Sequence, residues 1–309
     1  MKKFRFAPAF AALFALFAAT VFAAAVPAGP LVTTDWLASN LKDPKIRIIE
    51  VSTNPSAYDY SHIPGAVNFS WHTDLNDKVR RDIISREDFD KLLQKSGVSD
   101  DTTIVLYGDA NNWFAAWGVW IFDIYGVKNV KLLDGGRVKW EAEKRTMDNK
   151  IPEFKATKYT TSGGDSSIRA YIADVVAVAQ GKSNQILLDI RSQDEFIGKV
   201  FAPPGVKELA VRAGRIPTAV NVPWGQAVNK DGTFKSAKEL KELYAAVGID
   251  GSKPAIAYCR IGERSSHSWF ALKKILGYEA RNYDGSWTEY GNAVNVPIIN
   301  QSSTIWTGK

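Results

Sequence analysis

One thiol stands in the whole chain, Cys259, and its neighbours are arranged for anion chemistry: Cys259-Arg260-Ile261-Gly262-Glu263-Arg264-Ser265. A thiol becomes a nucleophile only as the thiolate, and cations and helix N-termini favour that form. Arg260 and Arg264 place two fixed positive charges beside the sulfur, and Gly262 allows a backbone turn that a side chain would obstruct. The apolar run Pro254–Tyr258 reads as a strand ending at the cysteine, and the residues up to Leu276 read as a helix closed by Gly277. The thiol thus falls at the carboxyl end of a strand, the crevice position of an open α/β sheet, facing the positive end of a helix dipole. A short loop there turns successive N–H groups inward on an anion. The thiolate is the expected resting form. Glu263 opposes this, since a carboxylate turned inward would raise the thiol pKa, so it is expected to point outward or to pair with an arginine. A cysteine without such neighbours would read as an inert core residue.

Other chemistries are poorly supplied. The three histidines, His62, His72 and His267, have no paired-ligand spacing with one another or with the cysteine, so neither a metal nor another cofactor is expected. His267 reads as a satisfied helical histidine, and Asp189 and Arg191 in LLDIR as a structural ion pair beneath the loop. Lys2, Lys3 and Arg5 precede an apolar run from Phe6 to Ala25 and small residues up to Ala28. This is the pattern of a cleavable signal peptide over residues 1–28, which makes the mature chain periplasmic or secreted, with no membrane attachment after cleavage. Removing those three cations lowers the formal net charge of +6 to about +3. No run of basic residues remains, so nucleic acid is not an expected partner. Exported proteins use cysteines in pairs as disulfides, and a single one cannot staple the chain to itself.

The elements that must position the thiol occur twice. HIPGAVNFSW at 62–71 and RIPTAVNVPW at 215–224 share six of ten residues, and LLDGGRVKW at 132–140 corresponds to NYDGSWTEY at 282–290. Between these pairs lie two strand-like runs, TIVLYG at 103–108 and PAIAYC at 254–259. Strands at Ile46–Val51 and Ile186–Ile190 alternate with helical stretches at Ser85–Ser96, Ala237–Val247 and Ser266–Leu276. Such alternation gives a parallel sheet wrapped by helices, and hence an α/β chain of two tandem domains. The expected boundaries are 29–149 and 168–309, joined by a linker over 150–167. The second copy carries an insertion, residues 198–214, rich in Gly and Pro and expected as a surface loop near the site. Aligning Tyr107 with Tyr258 sets Gly108 opposite Cys259. The first copy has no thiol and is expected to act as a wall of a cleft between the domains.

The tandem copies, the empty first one, CRIGER, YGDANNWFAAW, LLDGGRVKW, LLDIRSQDEF and YDGSWTEYGN together resemble the two-domain rhodanese family, in particular its bacterial thiosulfate sulfurtransferases. The resemblance runs from about Val32 to Pro297. It implies two rhodanese-like domains, the second catalytic, and ping-pong sulfur transfer through a Cys259 persulfide, with thiosulfate as donor and cyanide or a thiol as acceptor. It further implies that the N–H groups of Arg260, Ile261, Gly262, Glu263, Arg264 and Ser265 hold the developing negative sulfur, and that Arg260 and Arg264 hold the donor. Trp113 and Phe114 match an aromatic pair lining the site in relatives. A thioredoxin-like or other sulfur acceptor protein is a further partner of this kind. The chain departs from the animal enzymes at Glu195, where they carry a donor-binding arginine, and at Ile261, where they carry a lysine. A 3-mercaptopyruvate sulfurtransferase is the nearest alternative, although its loop resembles C-G-S-G-V-T. A phosphatase of this fold uses C-x5-R, against C-x4-R here. A non-catalytic persulfide carrier or redox sensor is the alternative outside enzymes.

Overall fold

The computed structural model describes residues 25–206 and 210–307. The expected signal segment therefore lies, up to residue 24, outside the described residues. In the first half, β1 (Leu31–Val32), α1 (Thr34–Asn40), β2 (Ile46–Ser52), α2 (Pro55–Tyr60) and β3 (Val67–Ser70) are followed by a small hairpin of β4 (Asn76–Asp77) and β5 (Asp82–Ile83). Then come α3 (Arg86–Lys95), β6 (Thr103–Tyr107), α4 (Trp113–Ile124), β7 (Val130–Leu133) and α5 (Gly136–Ala142). The second half supplies β8 (Arg169–Ala170), α6 (Ile172–Ala179), β9 (Ile186–Asp189), α7 (Gln193–Phe196), β10 (Val220–Asn221) and α8 (Ala237–Ala245). It ends with β11 (Ala255–Tyr258), α9 (Glu263–Trp269), β12 (Ala280–Tyr283) and α10 (Ser286–Tyr290).

The two sheets have one topology. The strand order β1-β7-β6-β2-β3 is matched by β8-β12-β11-β9-β10, and every neighbouring pair within these sheets is parallel. All seven residues of β2 are buried, as a strand covered on both faces requires. The expected strands are found within about one residue of their ends. Pro254, which has no N–H to give a ladder, lies just outside β11. One helix differs. It was expected from Ser266, but α9 begins three residues earlier at Glu263, because Gly262 takes φ 94 and provides the left-handed turn into it. Residues Phe270–Ile275 then continue as a π-helix.

The domains meet through equivalent helices. Ten of the twelve residues of α4 and all seven of α9 are buried. A helix apolar on all sides, as α4 is, must be covered on all sides. One apolar cluster runs unbroken from Phe69, Trp117 and Trp120 into Trp269 and Phe270. Around it, Lys274 pairs with Asp123 at 2.7 Å and Arg169 with Asp82 at 2.7 Å. The stretch 149–165 has no regular element yet is strapped to the first domain: Thr157 Oγ1 donates to Val98 O at 2.6 Å and Gln94 Nε2 to Tyr159 O at 2.8 Å.

Candidate active site

Cys259 follows β11 at the seam between the domains, and its loop is built by turning carbonyls away from the sulfur. Cys259 O and Arg260 O accept from the N–H groups of Trp287 and Thr288 at 3.0 and 2.9 Å, the opening of α10. Ile261 O accepts from Arg81 Nη2 at 3.1 Å, a contact from the first domain. Gly262 O accepts from the hydroxyls of Ser265 and Ser266 and from Asn282 Nδ2 at 3.0, 2.7 and 3.2 Å. The Gly262 N–H donates to Cys259 Sγ at 3.2 Å, with the Ser265 hydroxyl at 3.6 Å and that of Ser286 at 4.0 Å. Ser286 also accepts from the Cys259 N–H at 3.0 Å. The DGSW segment is thus the loop's rear support. Asp284 stands behind Gly262, held by Trp117 Nε1 at 3.1 Å and Arg81 at 3.4 Å.

Glu263 pairs with an arginine, one of the two arrangements expected for it, whereas the expectation of a resting thiolate is overturned. Glu263 is turned inward: its Oε2 lies 3.3 Å from Sγ and its Oε1 faces Arg264 Nε at a long 3.8 Å. The sulfur is fully buried. Burial first and the Glu263 carboxylate second push the Cys259 thiol up, and Arg264 and Ser265 pull it down by less. The resting group is therefore the thiol, because enclosure and a neighbouring anion outweigh one buried cation.

Arg264 is itself engaged. Its Nη2 meets Glu195 Oε1 at 3.5 Å. Glu195 is fully buried, and its Oε2 completes a capping box by accepting from the Ser192 N–H at 3.0 Å. The residue standing where animal relatives carry an arginine thus neutralises the arginine of the loop. Arg260 is partly exposed, and its guanidinium has no hydrogen-bond or ion-pair partner among the described residues. Ile261 is half-buried and packs on the core. Trp113 crosses the seam to meet Trp224 edge-on at 4.8 Å, whereas Phe114 is buried against Trp71 at 5.2 Å. His267 is stacked on Phe234 at 4.2 Å, with Nδ1 unpartnered and burial pushing its pKa down to about 3. It is a neutral aromatic wedge rather than a hydrogen-bonded helical histidine. Asp189 and Arg191 form the expected buried pair at 2.6 Å.

The opposite copy has no room for a thiol. A Cβ on Gly108 would stand 2.6 Å from Val51 O, and the Gly108 N–H is taken by Asn112 Oδ1 at 3.0 Å. The described part of the insertion packs behind α10: Arg212 donates to the carbonyls of Gly291, Val296, Tyr290 and Ala293. Among the described residues, no group of three or more His, Cys, Asp or Glu could hold a metal ion, and no helix is long and apolar enough to cross a membrane. Sequence reasoning missed Glu195 as the partner of Arg264, and Arg81 and Asp284 as supports of the loop. The capping-box pattern Ser192–Glu195 was the available signal for the first.

The rhodanese-like domain family matches residues 33–143 and again 173–293, and the chain belongs to that family. It is 53% identical over 270 residues to the "Putative thiosulfate sulfurtransferase" of Mycolicibacterium smegmatis, covering 87% of this chain and 96% of that one. It is 50% identical over 274 residues to the "Sulfur carrier protein TtuD" of Thermus thermophilus, covering 87% and 95%. Among solved structures, the 3-mercaptopyruvate sulfotransferase SseA from Escherichia coli superposes with a TM-score of 0.71 at 26% identity, over 84% of this chain and 99% of that one. The family and these relatives make the chain a protein of the sulfurtransferase class.

Proposed function

We propose that the protein is a thiosulfate sulfurtransferase. Cys259, as thiolate, attacks the outer sulfur of thiosulfate, sulfite leaves, and the resulting persulfide passes its sulfur to cyanide or a thiol. The observation that carries this reading is the loop itself: a sole cysteine whose sulfur receives the Gly262 N–H at 3.2 Å, with Arg264 beside it and Arg260 unpaired. Preorganised donors of this kind act where charge develops and contribute a few kcal/mol each, about 3 for one oxyanion donor. The C-x4-R spacing makes a cradle fit for a sulfur atom, smaller than the one a phosphate needs. The unpaired Arg260 guanidinium, with Arg264 shared between two carboxylates, supports a small inorganic dianion and favours thiosulfate over mercaptopyruvate.

Intact-mass measurement after thiosulfate exposure, paired with sulfite release in the presence of cyanide, tests the reading. We expect a gain of one sulfur on Cys259, many equivalents of sulfite, and neither in Cys259→Ser. No gain in mass would overturn it. A single equivalent of sulfite without turnover would favour a sulfur carrier, the reading that similarity to TtuD supports. The basic and apolar opening of the chain supports export to the periplasm or medium, and a mature N-terminus found by sequencing before residue 6 would refute it.

A further inference from the structure

Sulfur transfer as described so far gives no task to the carboxylate that crowds the sulfur. Glu263 is 4% exposed, and its Oε2 sits 3.3 Å from Sγ, in the position of an acceptor for the S–H. The hydroxyls of Ser265 and Ser286 stand farther off, at 3.6 and 4.0 Å, as donors to the sulfur. The charged groups around Glu263 are Arg264 on its own helix and, behind that arginine, Glu195 of α7. Asp284, at the end of β12, faces Gly262 from behind. His267, one turn along α9, is occupied with Phe234 and Trp224. If Glu263 stayed ionised while a dianion met a thiolate, like charges would meet at close range in an enclosed site, and Arg264 is already shared with Glu195.

We propose that Glu263 is the proton acceptor and donor of the sulfur-transfer step, taking the Cys259 proton on Oε2 when the donor docks and returning it to the departing sulfite. The inference rests on the sulfurtransferase reading above. As the S–H proton moves to Oε2, an electron pair is left on Sγ. That pair forms the bond to the sulfane sulfur, the S–S bond of thiosulfate breaks, and sulfite leaves with the bonding electrons. Sulfite is a stronger base than a carboxylate and takes the proton from Glu263, departing as hydrogensulfite. A persulfide anion and an ionised Glu263 remain, so charge is conserved and no oxidant or reductant is required. With a thiol acceptor, Glu263 takes the acceptor's proton and delivers it to Sγ as the outer sulfur departs. Protonation of Glu263 during attack thus removes the charge that would otherwise repel the donor.

The test compares wild type, Glu263→Gln and Glu263→Asp in the full protein. First-turnover release of sulfite from thiosulfate, and of pyruvate from 3-mercaptopyruvate, is followed beside the pH profile of Cys259 alkylation by iodoacetamide. Glutamine keeps the shape but accepts no proton. Its alkylation profile moves to lower pH, because a repelling charge is gone, while both donor reactions slow by about a hundredfold, the low end of what a positioned proton acceptor supplies. Aspartate restores part of the rate. A glutamine variant that alkylates at lower pH yet turns over either donor as fast as wild type would overturn the inference and leave Glu263 a mere repelling charge. Wild type inert to thiosulfate but active with mercaptopyruvate would instead overturn the donor assignment, and the second donor then decides the role of Glu263.

Discussion

Replacing Gly262 by alanine tests whether the sulfur's position is set by the backbone behind it. The residue has φ 94, and a Cβ there would stand 2.7 Å from Asp284 Oδ1 and 2.8 Å from both Asp284 Cα and O. Holding a residue with a side chain in such a conformation costs about 1–3 kcal/mol. The contact adds to this, because two of the three opposing atoms are backbone at the end of β12 and cannot rotate away. Restoring ordinary contact requires a shift of roughly 0.5–1 Å. Gly262 N carries the hydrogen bond to Sγ at 3.2 Å, so the loop moves with it. A misplacement of that order costs about a hundredfold in rate. Sulfite release with thiosulfate and cyanide, measured beside thermal unfolding by circular dichroism, should show kcat/KM down by about that factor and stability down by about 1–3 kcal/mol. Gly277→Ala is the control: it has φ 71 but nothing within 4 Å, so it bears the strain without the collision. It should lose about 1 kcal/mol and keep its activity. Gly262→Ala retaining more than a third of the wild-type rate would refute the reasoning, as would an equal loss of activity in the control.

Asp189→Asn should destabilise the second domain by about 3–5 kcal/mol, because it leaves the fully buried Arg191 guanidinium, now 2.6 Å from Asp189 Oδ2, without a counter-charge. Chemical denaturation measures this, and adding Arg191→Met should recover most of the loss; a change below about 1 kcal/mol would contradict the assignment of the pair. His267→Phe should remove a component of acid sensitivity. The folded protein takes up the His267 proton only near pH 3, while the unfolded chain does so near the ordinary value of 6.5. Acidification through that window therefore favours unfolding, by about 1.4 kcal/mol per pH unit. Asp134, pushed up to about 6 mainly by burial, titrates with the opposite sign over part of the range, so the readout is the difference between wild type and variant. Identical slopes between pH 6.5 and 5 would exclude a buried neutral His267.

The doubled architecture was readable because its signals are local and repeated: apolar runs, turn motifs and their order. Every strand of one sheet finds its counterpart in the other in the same place. The position of Cys259 and its loop was equally legible. The direction of Glu263 was not, because it depends on where α9 begins, and one glycine shifts that start by three residues relative to the periodic pattern. The partners of the loop lie far away in sequence: Glu195 is 69 residues from Arg264, and Arg81 is 180 from Ile261. Contacts of that span leave no periodicity to find. The departures from the animal enzymes at Glu195 and Ile261 were the traces of a changed anion site.

A thiol pushed up in pKa and a loop built for anions are compatible once their origins are separated. Preference for an anion comes from the peptide groups. In a trans peptide plane N–H and C=O point in opposite directions, so a loop whose carbonyls at 259 to 261 are bound from behind turns the following N–H groups forward, and that of Gly262 reaches Sγ. This field is fixed by Trp287, Thr288, Asn282 and Arg81 and does not vary with the state of the sulfur. The thiol's own ionisation depends instead on enclosure and on Glu263. An enclosed, protonated sulfur is a poor target for oxidants. The first domain, through Arg81 on Ile261 O and through α4 against α9, fixes the loop behind the sulfur, and on the proposed reading it holds an anion site ready around a protonated thiol.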